Sequence, residues 1–294
     1  MHTFLKQHLL LAAFFAAFIA APFSSQAACL TDAEAVALVD AFKAATPAKN
    51  PEGLSEADGV CSRAKVNNLL AFLQGDGVGY KAGLTNAATQ KRFNYDRPVR
   101  GTLYASMLLE NNAEVPAKFG ARPLYEADML VRVSSTAIND AKTPAEVLDA
   151  IDQVIPFIEL PDLMVEAPPK LNGPAINAIN VGARLGVLGT PIAVPGTRAE
   201  RFALLDGLKN MAVIVTDGTG AEQDRGKGSD ILEHPLNAVV WLAGDLKAEG
   251  LAMKVGDLIS LGSFSKLMPP QAGMTVKVSY EGLPGAQPVL VRFK

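Results

Sequence analysis

Apolar residues recur at helical spacing through "TDAEAVALVDAF" (residues 31–42), behind a Thr31/Asp32 start and an acidic first turn, which predicts a capped amphipathic helix. "LSEADGVCSRAKVNNLLAFLQ" (residues 54–74) predicts a second helical stretch with a break near Gly59. The pattern then changes. In "GDGVGYKAGLT" the glycines Gly75, Gly77, Gly79 and Gly83 surround Lys81, and "NAATQKRF" returns to helical character. From Gly101 onward short apolar runs cut by Pro, Gly and Asn dominate. "DMLVRVSS", "AVIVTDG", "DLISLGS", "TVKVSYEG" and "PVLVRF" all read as strands. Two helices are expected among them. "TPAEVLDAIDQV" (residues 143–154) opens on a Thr143/Glu146 capping box. "HPLNAVVWLAGDLKAEG" (residues 234–250) has Pro235 at a favoured first position and Gly250 as a stop. A small helical part followed by a β-rich part with inserted helices is an α+β arrangement, and no internal repeat is visible.

One strand poses a question. "LYEADMLVRV" (residues 124–133) sets Glu126 and Asp128 two residues apart, so both carboxylates point to the same face. Ala127, Met129, Val131 and Val133 form a core face opposite, and on periodicity alone a solvated acid face is the simpler reading. If that face is buried, two like charges need a cation or a shared proton to compensate them.

The N-terminus changes the picture of where the chain works. Lys6, an apolar run over residues 9–21, Pro22 and then Ser25-Gln26-Ala27 have the layout of a cleavable secretory signal over residues 1–27. The run is short for a bilayer span, so no membrane span is expected after its removal, and the mature chain is expected in the periplasm or outside the cell. An uncleaved anchor and a lipoprotein acylated on Cys29 are the alternatives. Cys29 and Cys61 are the only cysteines, and in an oxidising compartment they read as one structural disulfide. With no Cys-x-x-Cys there is no thiol redox or zinc-knuckle signature.

The 294 residues, 49% of them hydrophobic, suffice for one large domain or two modest ones. A net charge of -3 without a local cationic cluster argues against a nucleic-acid partner. His234 is the one imidazole downstream of the leader, which excludes a multi-histidine zinc site, and its place before a helix reads as a cap. A bound metal must therefore be held by oxygen, which favours magnesium, manganese or calcium. "VIVTDGTGAEQDRG" lacks the third glycine of a dinucleotide loop, having Gln223 there, and Asp217-Gly218 reads as a hairpin turn. Ser263 and Lys266 have the Ser-x-x-Lys spacing of penicillin-recognising enzymes, without their companion motifs.

Five segments occur in a telling order: "GYKAGLT", "YEADMLVRV", "IPFIELPD", "HPLNAVVWLAGDL" and "LGSFSKLMPPQAGMTVKV". Together they resemble the fumarylacetoacetate-hydrolase-like superfamily. The branch in view is that of 2-keto-4-pentenoate hydratase, 2-oxohepta-4-ene-1,7-dioate hydratase and 4-oxalocrotonate decarboxylase. The resemblance implies a small helical N-terminal region (residues 28–100) followed by a mixed β-sandwich roll, fumarylacetoacetase C-terminal-like, carrying the catalytic metal (residues 101–294). It implies a divalent ion, Mg2+ or else Mn2+ or Ca2+, held by Glu126, Asp128 and Glu159, with Asp128 standing where Glu is more usual. It places Lys81 on the substrate oxygens, with Thr85 and Ser263 as further substrate hydrogen-bonding groups. The implied activity is hydration of a 2-oxo or 2-hydroxy-dienoic acid through a metal-stabilised enolate. The alternatives are oxo-acid decarboxylation, C–C hydrolysis, or a periplasmic oxo-acid-binding pseudoenzyme. Self-association into a homo-oligomer is expected from the same source. Two departures stand out: Val99 replaces an expected acid and Gly182 an expected serine, and Asp96 or Arg100 are the nearby groups that could substitute.

Overall fold

The computed structural model describes residues 29–294, so the leader lies outside the described residues. Helices α1 (Asp32–Ala44) and α2 (Glu56–Gln74) come first, and both open on capping boxes, Thr31 with Glu34 and Ser55 with Asp58. The strands β1 (Gly77–Gly83) and β2 (Val99–Tyr104) flank the short helix α3 (Ala87–Arg92). Next come β3 (Leu108–Leu109), β4 (Ala113–Val115), β5 (Glu126–Val133), helix α4 (Pro144–Asp149) and β6 (Ile151–Leu160). Helix α5 (Gly173–Ala178), β7 (Leu185–Leu188), β8 (Ile192–Ala193) and helix α6 (Arg198–Asn210) follow. The chain closes with β9 (Ala212–Asp217), β10 (Glu222–Lys227), α7 (Asn237–Ala248), β11 (Leu258–Ser260), β12 (Thr275–Glu281) and β13 (Val289–Phe293).

Two mixed sheets result. The larger runs β2-β1-β11-β5-β6-β7-β3, with β8 added beside β6, and the smaller runs β10-β9-β12-β13-β4. They pack face to face on Ala127, Met129, Val131 and Val133 of β5, the alternating set expected to face a core, together with Val213, Val215, Val276, Val278 and Val291 of the second sheet. Tyr280 of β12 ties the layers: its buried hydroxyl accepts from Phe157 N and lies against the carbonyls of Asp128 and Phe157. This is the expected α+β architecture of helices followed by curled mixed sheets.

Four local expectations need correction. No break occurs at Gly59; α2 runs through it because Pro174 approaches so closely that a Cβ there would sit 2.6 Å from its carbonyl oxygen. The helix foreseen over residues 143–154 stops at Asp149, where β-branched Ile151, Val154 and Ile155 take over as β6. Helix α7 begins at Asn237, two residues beyond Pro235, which sits in the preceding turn with His234. The expected boundary between residues 100 and 101 falls inside β2, and the glycine-rich stretch around Lys81 is a sheet strand, hydrogen-bonded to β2 on one side and β11 on the other.

The second layer of packing decides the site. Residues of α1, α2 and α5 join Leu84, Val99, Leu163 and Val181 in a separate apolar cluster laid over the other face of the larger sheet. The face carrying Glu126 and Asp128 is therefore covered, and both carboxylates are buried, against the expectation of a wet face. Two buried arginines fasten this cover. Arg63 of α2 donates to Glu249 at 2.5 Å, and Arg100 of β2 pairs with the same carboxylate at 2.6 Å and with Asp245 of α7. Cys29 and Cys61 pair as a disulfide with Cα atoms 5.6 Å apart, holding the chain before α1 to α2. No helix among the described residues is long and apolar enough to cross a membrane.

A buried carboxylate cluster as candidate metal site

Strands β1, β11, β5 and β6 lie side by side, and their register brings the motif residues onto one face. Lys81 is opposite Ser260, Ser260 is opposite Leu130, and Glu126 is opposite Glu159. Because alternate residues share a face, Asp128 joins them. Lys81, Glu126, Asp128 and Glu159 are all at most 6% exposed. The Lys81 ammonium pairs with Glu159 Oε1 and donates to Val181 O at 3.1 Å. Glu159 Oε2 is buried with no partner.

Asp128 behaves differently from Glu126. Its Oδ2 accepts from the Ser260 hydroxyl, and its Oδ1 accepts from Gly262 N at 3.0 Å and from Met129 N. Gly262 reaches this position with φ of +101°, and a Cβ there would lie 2.0 Å from Thr85 Oγ1, so only glycine fits. One methylene shorter than Glu, Asp128 is thus engaged by its own strand and by β11. Among the described residues, no three His, Cys, Asp or Glu side chains stand in an arrangement that could hold a metal ion. Two causes are visible: Asp128 faces its protein donors, and Lys81 covers one oxygen of Glu159.

The electrostatics still call for a counter-charge. Burial, then the charge of Glu159, push the Glu126 carboxyl well above the ordinary carboxylate range. Burial, again ahead of the Glu159 charge, raises Asp128 to about 8, against the opposing pull of its Ser260 hydrogen bond. Three carboxylates and one ammonium leave two negative charges, which burial tolerates only as bound protons or as one divalent cation. The donors are all oxygens, suited to a hard ion, and Glu159 Oε2 is free to accept one. On donor chemistry and charge the residues fit such an ion, with Glu126 and Glu159 as the available pair.

The lysine is set by a strained turn. Asn180, Val181 and Gly182 all have positive φ, +53°, +54° and +65°, which a β-branched residue such as Val181 adopts only under constraint. The Asn180 side chain supplies it by accepting from Thr102 N at 2.7 Å and donating to Thr102 O at 3.0 Å. Val181 O is thereby aimed at Lys81. Nothing in the apolar residue types forecast this turn.

A cavity of about 40 Å3 opens beside the cluster, lined by Lys81, Glu126, Gly262, Ser263 and a wall of apolar side chains. Thr85 is not among its lining residues, although its hydroxyl is buried and unpartnered. Ser263 lines the cavity, but its hydroxyl donates to Ser265 O at 2.6 Å. The two groups considered as substitutes for the missing acid lie elsewhere: Arg100 is bound to Asp245 and Glu249, and exposed Asp96 pairs with Arg97. Lys266 pairs with Asp224, away from Ser263, and the His234 ring accepts from Leu236 N at 3.1 Å and reaches Leu205 O at 3.1 Å, a capping role.

No family model matches the chain. It is 29% identical to 2-keto-4-pentenoate hydratase 2 of Dechloromonas aromatica (strain RCB) over 206 residues, covering 70% of this chain and 75% of that one. With 2-keto-4-pentenoate hydratase 1 of the same organism the identity is 26% over 264 residues, 88% and 97% of the two chains. The fold matches 4-oxalocrotonate decarboxylase from Pseudomonas putida G7, complexed with magnesium and adipate, with a TM-score of 0.77 at 23% identity over 90% of this chain and 99% of that one. The same decarboxylase complexed with calcium and acetate gives 0.75. Two curled mixed sheets with a buried acid cluster on the covered face define the fumarylacetoacetate-hydrolase-like fold. The chain has that fold, and the curated relatives it resembles are 2-keto-4-pentenoate hydratases.

Proposed function

We propose that the protein is a divalent-metal-dependent hydratase-type lyase acting on a 2-hydroxydienoic acid or its 2-oxo tautomer. The observation that carries this reading is the buried cluster of Glu126, Asp128, Glu159 and Lys81, whose two excess negative charges one divalent cation would balance. The hydratase relatives support lyase activity, and a structural neighbour complexed with magnesium supports a divalent ion. Glu126 and Glu159 would hold the ion, with Asp128 as the third carboxylate only if it gives up Ser260 and Gly262. When bound, the ion supplies Lewis-acid polarisation of the oxo-acid head.

The chain's own groups supply the rest. Lys81, directed by Val181 O, presents a positive N–H donor to an oxygen on which negative charge develops. The apolar wall excludes water from that oxygen and strengthens the interaction. Proton delivery to carbon is not assigned to a residue.

Purified protein with magnesium should consume the ultraviolet absorbance of 2-hydroxypenta-2,4-dienoate. No loss at high enzyme concentration would overturn the reading. Release of carbon dioxide, or of two product acids, would instead select decarboxylation or C–C hydrolysis. The second reading, an oxo-acid-binding protein without turnover, is favoured by one observation: neither Asp96 nor Arg100 reaches the cavity to replace the groups absent at Val99 and Gly182.

We also propose export and self-association. The leader sequence and the Cys29–Cys61 pairing just beyond it support the first. Phe72 and Leu73, exposed side by side at the end of α2, support the second.

A further inference from the structure

The cavity beside the acid cluster carries a second kind of information, and reading it rests on the oxo-acid reading above. Beyond Lys81 and Glu126 its wall is Leu84, Phe93, Leu163, Ile176, Val181 and Leu267. These belong to the apolar cluster that the N-terminal helices complete. The two hydroxyls in the lining are already committed. Ser263 Oγ donates to Ser265 O, and Thr89 Oγ1 donates to Asn86 O at 3.0 Å. The lone cation in the lining, Lys81, is spent on Glu159 and Val181 O. Outside the cavity, Arg92 lies in the neighbouring clefts with its guanidinium 5.6 Å from the Phe93 ring centre, and Lys266 is paired with Asp224.

An acid whose head sits at Lys81 therefore meets a cavity lining that offers its tail no uncommitted cation or hydroxyl. We infer that this site selects 2-oxo acids with a short, uncharged hydrocarbon tail and rejects those with a distal carboxylate, and that Phe93, Leu163, Ile176 and Leu267 determine that specificity. The physical cause is desolvation: a distal carboxylate loses its water here and gains neither a cation nor a donor. Discrimination of this kind, where a buried charge is left unpaired, exceeds what a methylene more or less can give.

The test compares kcat/KM of the magnesium-loaded full chain for 2-hydroxypenta-2,4-dienoate and 2-hydroxyhepta-2,4-diene-1,7-dioate. The monoacid should lead by roughly 100-fold or more. Leu267→Arg, at a partly exposed lining position, should narrow that ratio by about 10-fold through a gain on the dioate. Calorimetry with magnesium and either 2-oxopentanoate or 2-oxoglutarate, equal in chain length, should show the monoacid binding at least about 10-fold tighter even without turnover. A ratio near one, or a preference for the dicarboxylates, would overturn the inference and leave the lyase reading standing. If neither acid binds and neither dienoate is consumed, the lyase reading fails and the inference falls with it.

Discussion

Glu126 and Glu159 stand directly opposite each other on the antiparallel pair β5 and β6, both buried, with the Lys81 ammonium on one oxygen of the second. Directly opposed residues hold their Cβ atoms about 5 Å apart, and like charges there are destabilising. A stable protein keeps such a pair only if something compensates it. Lys81 offsets one charge of the cluster, so the remainder is the physical basis of the metal proposal.

Lys81 should matter to activity more than to folding. With magnesium present to balance the remaining carboxylates, Lys81→Met should keep the fold, with a melting point within a few degrees. Loss of a charged donor at a developing oxyanion should lower kcat by about 100-fold or more, with KM little changed. Steady-state kinetics beside a melting curve checks both. An active Lys81→Met protein would remove the lysine from the chemistry.

The Cys29–Cys61 link closes a loop with a sequence separation of 32 and anchors the first helices that cover the acid face. Thiol titration of denatured, exported protein should find no free thiols. Cys61→Ser should lower stability by about 2–4 kcal/mol, read from denaturant midpoints. Two thiols in the exported protein would contradict the oxidised form and weaken the case for an oxidising compartment.

His234 predicts a pH dependence. Burial holds its imidazole below the ordinary range, and Nδ1 already accepts from Leu236 N, so the folded state favours the neutral ring. The unfolded ring takes up a proton near pH ~6.5. Its contribution is therefore complete above that value and declines as pH falls towards the lower folded pKa. The stability lead of the native chain over His234→Gln should shrink between pH 7.5 and 5.5, as measured by urea unfolding. A lead that stays constant or widens would contradict the capping account.

Much of the fold was legible. The caps at Thr31 and Thr143 marked helix starts because side chain and backbone satisfy each other locally. The alternation of Ala127, Met129, Val131 and Val133 marked the core face of β5 because that face packs on a whole sheet. What stayed hidden depends on residues distant in sequence. The acid face is buried by Leu163 and Ile176, which no local pattern ties to Glu126. Glycines around Lys81 carry no strand pattern, yet flanking strands supply the ladder that makes β1. The shared grip of Glu249 on Arg63 and Arg100 joins α2, β2 and the end of α7, and gave no sequence signal. Asp128 was recognisable as an acid at a motif position, but its engagement by Ser260 and Gly262 follows from a side chain one methylene short.

A crystal structure of the protein soaked with magnesium and oxalate, a two-oxygen mimic of the oxo-acid head, tests the central claim most directly. The expected result is an ion bound by Glu126 and Glu159, with oxalate on its open side within reach of Lys81. An unoccupied cluster at saturating magnesium, with Lys81 still resting on Glu159 and oxalate absent, would contradict it.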